Sequence, residues 1–149
     1  PGLNDGAAAV VVASRAKADT LELKPIARVV GYHQAAVEPK YLFDAPAHAI
    51  PQLLDKIGWQ LEEVDLIELN EAFAAQVLAN GKALAERGWD WNRVNVNGGG
   101  IALGHPIGAS GTRVLVTLVH ALKDRGLKRG IAALCLGGAE AVSLAVEVG

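Results

Sequence analysis

The sequence predicts an α/β domain in which a sheet is layered against helices, and three observations lead to this class. Short segments rich in small and β-branched residues recur along the chain. Segments with apolar residues at helical spacing alternate with them. Of the 149 residues, 51% are hydrophobic and 20% are charged, a balance that supports a packed core and argues against disorder.

Composition and charge exclude several classes of function. The net charge is -2 and no run of lysine or arginine occurs, so neither a nucleic acid nor a membrane surface is an expected partner. No apolar run reaches the length of a membrane span. Cys135 is the only cysteine, which rules out an intrachain disulfide and favours the cytoplasm. The four histidines are scattered, so no metal site is predicted.

Strands are predicted wherever small or β-branched residues cluster between turn residues. The first covers residues 7–14, and a polar connection over 17–24 follows it. The later segments are shorter or contain a glycine, but each is apolar enough for a central strand. They cover residues 26–35, 64–69, 94–97, 131–136 and 140–148.

Three helices are predicted between these strands. The first starts at His48 and stops at Gly58, with Pro51 in its first turn, where the missing N–H costs little. The second covers residues 70–88, and Asn70 is able to cap it. The third covers residues 110–125 and has so narrow a polar side that we expect it to be buried between layers.

The glycine-rich segment "NVNGGGIALGHPIGASGTR", Asn95 to Arg113, is the strongest candidate for function. It contains no dinucleotide-binding, P-loop or nucleophile-elbow pattern. Within it, Pro106 favours an extended backbone at His105, and the flanking glycines allow a substrate to approach closely. His105 is therefore either a catalytic residue or a loop histidine that only forms hydrogen bonds.

Two further polar residues lie where predicted strands end. Cys135 is either a small buried hydrophobic residue or a functional thiol at the end of a strand. Asn70 is either a helix cap or a functional amide in a similar position. Since chemistry in α/β folds gathers at strand ends, we expect Asn70, His105 and Cys135 to converge on one pocket.

Several motifs resemble those of the thiolase family. They are "NEAFA" at Asn70–Ala74, the glycine-rich segment with "GHPIG", and "CLGG" from Cys135; "GLNDGAAAVV" near the start resembles the stretch before the family's C-terminal half. The resemblance covers nearly the whole chain. It implies a βαβαβαββ half with a mixed five-stranded sheet and helices on both faces. Residues 1–24 would then be the end of the N-terminal half, and residues 25–149 the C-terminal domain.

The resemblance also implies roles for individual residues. His105 would activate a nucleophilic cysteine and help to form an oxyanion hole. Cys135 would act as acid and base, Asn70 would hold a water in that hole, and the amide of Gly137 would serve a second hole. The residues implied to bind substrate are Leu42, Ala72 and Phe73.

The sequence departs from the family pattern at several positions. The nucleophilic cysteine of the N-terminal half is absent, because the only cysteine lies in the other motif. Ala139 replaces a third glycine, Pro1 replaces a serine that contacts coenzyme A, and Tyr41–Pro46 replaces a smaller glycine-containing stretch. These changes concern the acyl pocket and the coenzyme A contact.

The expected function is therefore that of the C-terminal part of a thiolase that transfers acyl groups between coenzyme A thioesters. Acyl-CoA and CoA would be its substrates, with no cofactor. Its partner would be the N-terminal half, within an oligomer that is a homodimer or a homotetramer, and the chain alone would be inactive. The alternative is a stand-alone, non-catalytic remnant that serves as an interaction module.

Overall fold

A mixed four-stranded sheet forms the centre of the molecule in the computed structural model, which describes residues 1–149. The strands are β1 (Ala27–Ala36), β2 (Leu66–Leu69), β3 (Arg129–Leu136) and β4 (Glu140–Val148). The helices are α1 (Arg15–Thr20), α2 (Ala45–Ile57), α3 (Ala74–Ala83), α4 (Gly100–Leu103) and α5 (Ile107–Arg125). The α/β class is thus as predicted. None of the helices combines the length and the hydropathy that a membrane span requires.

The strands lie in the order β1-β4-β3-β2. β4 pairs antiparallel with β1 on one side and with β3 on the other, while β2 pairs parallel with β3. A tight turn joins β3 to β4, with positive φ at Gly138 and Ala139. The carboxyl ends of the parallel pair meet at one edge, which is where α/β folds commonly place their functional residues.

The predicted fifth strand over residues 94–97 does not form. Only Val94 pairs with the sheet, through a single bridge to Ile67 of β2. Asn95 then takes a left-handed conformation with φ 47°, and the N–H of Gly98 donates to its carbonyl oxygen at 2.9 Å. Asparagine tolerates this conformation better than most residues, so the chain turns away from the sheet after one pairing position.

The two faces of the sheet are covered by separate clusters of apolar side chains. α2 packs on one face, where Ile50, Leu53 and Leu54 are fully buried. α5 packs on the other, and its contact with β3 is so close that a Cβ at Gly130 would overlap the side chains of Leu118 and Leu122. Truncating such a fully buried leucine costs about 2–5 kcal/mol of stability. Helices therefore lie on both faces of the sheet, as expected.

Helix α2 starts earlier than predicted, which changes the place of Pro51. The helix begins at Ala45 with Pro46 in its first turn, so Pro51 lies in its interior, and the prediction for Pro51 was wrong. The helix continues to Ile57 although Pro51 has no N–H to donate to the preceding turn. The predicted stop at Gly58 is confirmed: this residue is left-handed, with φ 73°.

Helix α3 starts later than predicted, and Asn70 does not cap it. The N–H of Asn70 donates to the carbonyl of Ala133 at 2.9 Å, so this residue still continues the pairing of β2 with β3. Phe73 occupies the cap position instead, and the helix covers Ala74–Ala83. A short 3-10 turn then leads to Gly88, which has φ 93° and ends the segment where predicted.

Helix α5 is longer than predicted at its N-terminus. It begins at Ile107 and not at Ser110, so the motif that contains His105 leads directly into it. Pro106 is the residue before the first turn, where the fixed φ of proline suits the start of a helix. The helix ends at Gly126, which is left-handed with φ 66°.

The N-terminal segment forms no strand, so the strand predicted over residues 7–14 was wrong for this chain. Its backbone makes no hydrogen bond between Ala8 and Ala13, and the side chain of Val11 is 96% exposed. No neighbouring strand lies beside it to supply partners. The segment therefore does not pair with the central sheet. α1, which was not predicted, begins where the Ser14 hydroxyl caps the N–H of Lys17 at 3.2 Å.

The unpaired segment leads to a prediction for hydrogen exchange. In the 149-residue chain, the amides of Ala8 to Ala13 should exchange at rates close to those of an unstructured peptide, because nothing accepts their hydrogen bonds. The amides of Ala141 to Val146 in the doubly paired β4 serve as the internal control and should exchange far more slowly. Comparable protection of both stretches, measured by NMR, would contradict the structure.

Candidate active site

The carboxyl edge of the parallel strand pair carries two of the predicted site residues. Leu69 of β2 lies beside Ala133 of β3 in the register of the sheet. Asn70 directly follows the last residue of β2, and Cys135 lies two residues beyond Ala133 along β3. Because parallel strands end at the same edge, the sheet places Asn70 and Cys135 on the same side of the molecule.

Helix α5 brings His105 to that edge because it runs opposite to the parallel strands. The C-terminal part of the helix lies over the start of β3, where Leu118 and Leu122 meet Gly130. Further back along the helix, Arg113 lies beside Glu68, near the end of β2. The N-terminus of α5 therefore points toward the carboxyl edge of the sheet. His105, two residues before the helix, is carried there with it.

The imidazole of His105 is held by a buried serine. Its Nδ1 lies 2.6 Å from the hydroxyl of Ser110, which is fully buried in the first turns of α5. The same hydroxyl lies 3.2 Å from the carbonyl oxygen of Pro106. The hydroxyl has only one proton. When it donates that proton to Pro106, it accepts one from Nδ1, and the lone pair of Nε2 is then free to take a proton.

The first residues of the chain pack on the loop that carries His105. The N–H of His105 donates to the carbonyl of Gly2 at 2.9 Å, and Gly6 lies against Pro106. Gly104 has φ 90°, and a Cβ there would overlap the side chain of Asn4. A shallow cleft of about 440 Å³ lies between residues 4–8 and residues 106–109, and it does not include His105 itself.

Asn70 is buried and has a free acceptor. Its side chain is only 2% exposed, and Oδ1 has no hydrogen-bond partner. Leaving a buried acceptor unpaired costs about 1–3 kcal/mol, so such groups are usually bonded to a water or a ligand. A Cβ at Gly100 would lie 3.7 Å from this oxygen, which shows that the glycine-rich loop passes close to the amide. Asn70 is therefore suited to bind a water or a ligand.

Cys135 has a free, half-buried thiol. Burial raises the pKa of this thiol above its ordinary value of 9.0, so the protonated form predominates at neutral pH. Gly137 lies in the exposed turn after β3, with open space where a side chain would be. The arrangement leaves a proton donor and an accessible main chain at the carboxyl edge. Convergence of the side chains of Asn70, His105 and Cys135 on a single pocket remains a prediction.

The residues expected to bind substrate lie on two neighbouring segments. Leu42 is half-buried in the 3-10 turn Pro39–Asp44, and Phe73 is 57% exposed before α3. An edge-to-face contact with a centroid distance of 5.1 Å joins Phe73 to Phe43 of that turn. The N–H of Ala72 donates to Gln76 Oε1 at 3.1 Å, so the amide of Ala72 is already occupied. Binding of substrate by these residues remains a prediction.

A buried ion pair, which the sequence reasoning missed, connects β2 with α5. Glu68 is 2% exposed and its Oε2 lies 3.8 Å from Nη1 of Arg113. Burial raises the pKa of Glu68 to about 7; the Arg113 charge opposes the shift, and the negative charge of Glu71 adds to it. The only signal in the sequence was a glutamate within an otherwise apolar strand. No group of three or more His, Cys, Asp or Glu side chains is arranged to hold a metal ion.

The serine that holds His105 gives a test of the imidazole's tautomer. We expect Ser110→Ala to lower the ratio of the Nδ1–H to the Nε2–H form about fivefold, because one hydrogen bond of about 1 kcal/mol is lost. Proton–nitrogen correlation NMR of the His105 ring in alkaline buffer measures this ratio. The ring of His120, exposed on α5, is the control and should not change. An unchanged ratio at His105 would contradict the assigned hydrogen bond.

The raised pKa of Glu68 predicts a specific pH dependence of stability. Between about 4.5 and about 7 the folded chain binds more protons than the unfolded one, so this carboxyl lowers the free energy of unfolding as pH rises. Glu68→Gln removes the titration. The stability of this variant relative to the unmodified chain should rise by roughly 2 kcal/mol between about pH 5 and about pH 8. Urea unfolding at both pH values measures it, and a constant difference would refute the raised pKa.

Comparison with known proteins gives the family. A sequence model described as the C-terminal domain of thiolase matches residues 23–148. The chain is 56% identical over 146 residues to an acetyl-CoA acetyltransferase of Chromobacterium violaceum, covering 98% of this chain and 36% of that protein. It is 52% identical over 148 residues to the cytosolic acetyl-CoA acetyltransferase of Mus musculus, covering 99% of this chain and 36% of that protein.

A solved structure agrees with these sequence relatives. The acetyl-CoA acetyltransferase of Bacillus anthracis superposes with a TM-score of 0.85 at 51% identity, over 91% of this chain and 34% of that one. The chain thus spans about a third of the length of the relatives it matches. The family match over most of the chain, the identity and the shared fold together show that this chain belongs to the thiolase family and corresponds to its C-terminal part.

Proposed function

We propose that this chain carries the C-terminal part of an active site that transfers acyl groups between coenzyme A thioesters. The reaction would be condensation of two acetyl-CoA molecules or its reverse, thiolysis of a 3-ketoacyl-CoA. The observation that carries the proposal is the placement of three groups at one sheet edge. These are the imidazole of His105 held through Nδ1, the free acceptor of Asn70 and the protonated thiol of Cys135.

His105 would act as a general base on a nucleophilic thiol. With Nδ1–H donated to Ser110, its Nε2 can take the thiol proton, so that the thiolate attacks the carbonyl carbon of a thioester. The resulting imidazolium would then face the thioester oxygen and stabilise the negative charge that develops there. The buried serine supports this role, because it fixes the ring without adding a charge.

Asn70 and Gly137 would complete the binding of the two oxyanions. Oδ1 of Asn70 can accept one proton of a water, and that water can donate its other proton to a thioester oxygen. The N–H of Gly137, in the exposed turn after β3, would donate to the oxygen in the second half of the reaction. Leu42, Ala72 and Phe73 would contact the pantetheine arm or the acyl chain.

Cys135 would move the proton at the α-carbon. In condensation the Cys135 thiol would first give its proton to the CoA thiolate that leaves when the enzyme is acylated, and the resulting thiolate would then take the α-proton of the second acetyl-CoA. In thiolysis the thiol would return a proton to the enolate carbon and the thiolate would regain one from the incoming CoA thiol. A pKa raised by burial keeps the thiol protonated when no substrate is bound. It also makes the thiolate a stronger base once it forms.

Formation of an acyl-enzyme needs a nucleophile other than Cys135. Cys135 is the only cysteine of the chain, and its proposed task is proton transfer. We propose that an N-terminal thiolase half supplies the nucleophilic cysteine, in the same polypeptide or in another, with residues 1–24 belonging to that half and residues 25–149 to the C-terminal domain. The assembled enzyme would be a homodimer or a homotetramer in the cytoplasm; support for this location comes from the relative named cytosolic.

An activity assay of the chain with and without that half tests the proposal. The chain alone should not consume acetoacetyl-CoA and CoA, as followed by the loss of the magnesium–enolate absorbance. Addition of an N-terminal thiolase half should give turnover. His105→Ala and Cys135→Ser should then lower kcat by about 100- to 10,000-fold, because each removes a proton-transfer group. His120→Ala, which changes an exposed histidine on α5, is the matched control and should leave kcat unchanged.

Two results would contradict this function. Turnover by the chain alone would show that no nucleophile from an N-terminal half is needed. Full activity of the His105 or Cys135 variant in the assembled enzyme would remove the proposed chemistry. If the chain is a stand-alone interaction module, no turnover should occur with or without the N-terminal half. The same assay therefore separates the two hypotheses.

A further inference from the structure

Glu71, the residue after Asn70, makes hydrogen bonds with both of its carboxylate oxygens. Oε2 accepts the main-chain N–H of Ile101, at the start of α4, at 2.9 Å. Oε1 accepts from the side-chain amide of Asn95, also at 2.9 Å. Both bonds cross from the end of β2 to the glycine-rich loop. With both oxygens occupied, Glu71 is better placed to hold the loop than to exchange protons with a substrate.

Asn95 closes this link against the strand itself. Its Oδ1 accepts the N–H of Leu69 at 2.8 Å, and its Nδ2 donates to the carbonyl of Leu69 at 2.9 Å. The side-chain amide thus bonds to the free edge of β2 as a neighbouring strand would. The left-handed φ of 47° at Asn95 allows the chain to turn away while its side chain stays in this position.

The loop has no side chain where the carboxylate lies. A Cβ at Gly99 would overlap the carboxyl group of Glu71, so glycine at this position lets the loop approach closely. From there α4 forms one helical turn, closed by the bond from the N–H of Gly104 to the carbonyl of Gly100 at 2.8 Å. His105 follows directly. A short and regular segment therefore separates the contact at Ile101 from the imidazole.

We infer that Glu71 is a positioning residue that fixes the spacing between Asn70 and His105 by tying the glycine-rich loop to the end of β2. Asn70 lies directly before Glu71 in the chain, and His105 lies at the far end of the segment that Glu71 holds. The inference rests on the proposed function for its effect on catalysis. The geometric part does not depend on that function, because it concerns only where the loop lies.

Replacing the carboxylate tests this role. Glu71→Gln keeps the size of the side chain, but its NH2 group cannot accept a hydrogen bond, so one of the two links is lost. In the assembled enzyme, kcat should fall up to about 100-fold with KM little changed, because a small displacement of catalytic groups affects the transition state most. Glu86→Gln, at an exposed glutamate in a 3-10 turn, is the matched control and should leave kcat unchanged.

A spectroscopic readout separates positioning from a general loss of stability. In NMR spectra of the 149-residue chain, Glu71→Gln should shift the resonances of the His105 ring and of the Asn70 side-chain amide. The ring of His33, which lies 2.7 Å from Gln52 and is remote in sequence from the loop, should not shift. Asn95→Asp is a second variant: it keeps the acceptor for the N–H of Leu69 but loses both bonds that Nδ2 donates, to the carbonyl of Leu69 and to Glu71, so it should shift the same two resonances.

The outcomes distinguish this inference from the proposed function. If both resonances shift in the Glu71 variant but the unmodified enzyme shows no turnover, the positioning role stands and the proposed function fails. If the enzyme turns over and the Glu71 variant leaves the resonances and kcat unchanged, the positioning role is wrong and the function stands. If Glu71→Gln unfolds the chain, the Asn95→Asp spectrum decides, and unshifted His105 and Asn70 resonances there would also overturn the inference.

Discussion

Helix α5 packs on β2 and β3 so closely that Gly130 has no room for a side chain, and the positions of the other candidate groups follow from this contact. Because the helix runs opposite to the parallel strands, its N-terminus lies at their carboxyl ends. His105 therefore reaches the edge where Asn70 and Cys135 already lie. Packing against α5 requires glycine at position 130. The glycines around His105 instead allow the main chain of the glycine-rich loop to lie close to neighbouring groups.

The same region of the molecule holds polar groups that a core would normally avoid. Glu68 of β2 and Asn70, directly after β2, are both nearly fully buried, and each has an oxygen atom without a hydrogen-bond partner. Strain and unpaired polar groups of this kind cluster at functional sites, where the rest of the fold offsets their cost. One apolar cluster under α2 and another under α5 bury side chains on both faces of the sheet, and this burial offsets the cost.

Local signals in the sequence were enough to predict the class of fold and the stops of its helices. Gly58 and Gly88 end helical segments because only a left-handed residue fits there. The missing fifth strand and the interior position of Pro51 could not be predicted, because both depend on where neighbouring elements begin. The left-handed conformation of Asn95 could not be predicted either, because it accompanies a hydrogen bond between the Asn95 side chain and Leu69 of β2.

In the candidate site, too, local sequence signals could be interpreted and contacts between elements could not. The strand-end rule singled out Asn70 and Cys135, and Pro106 with the flanking glycines singled out His105; the catalytic roles of all three stay predictions. The roles of Ser110 and Glu71 were not predicted, because each residue acts through a hydrogen bond to another segment and no local sequence pattern indicates such a bond. Candidate catalytic residues were thus easier to single out from the sequence than the residues that hold them in place.

The central claim is that Asn70, His105 and Cys135 share one site, and a contact measurement on Cys135 tests it most directly. Cys135 can be converted to an S-methyl disulfide with an isotope-labelled methyl group, since no other cysteine competes for the reagent. Nuclear Overhauser effects from that methyl group then report which protons lie around it. Effects to the ring of His105 and to the side-chain amide of Asn70 are expected. Effects to other residues only, with neither of these two among them, would contradict it.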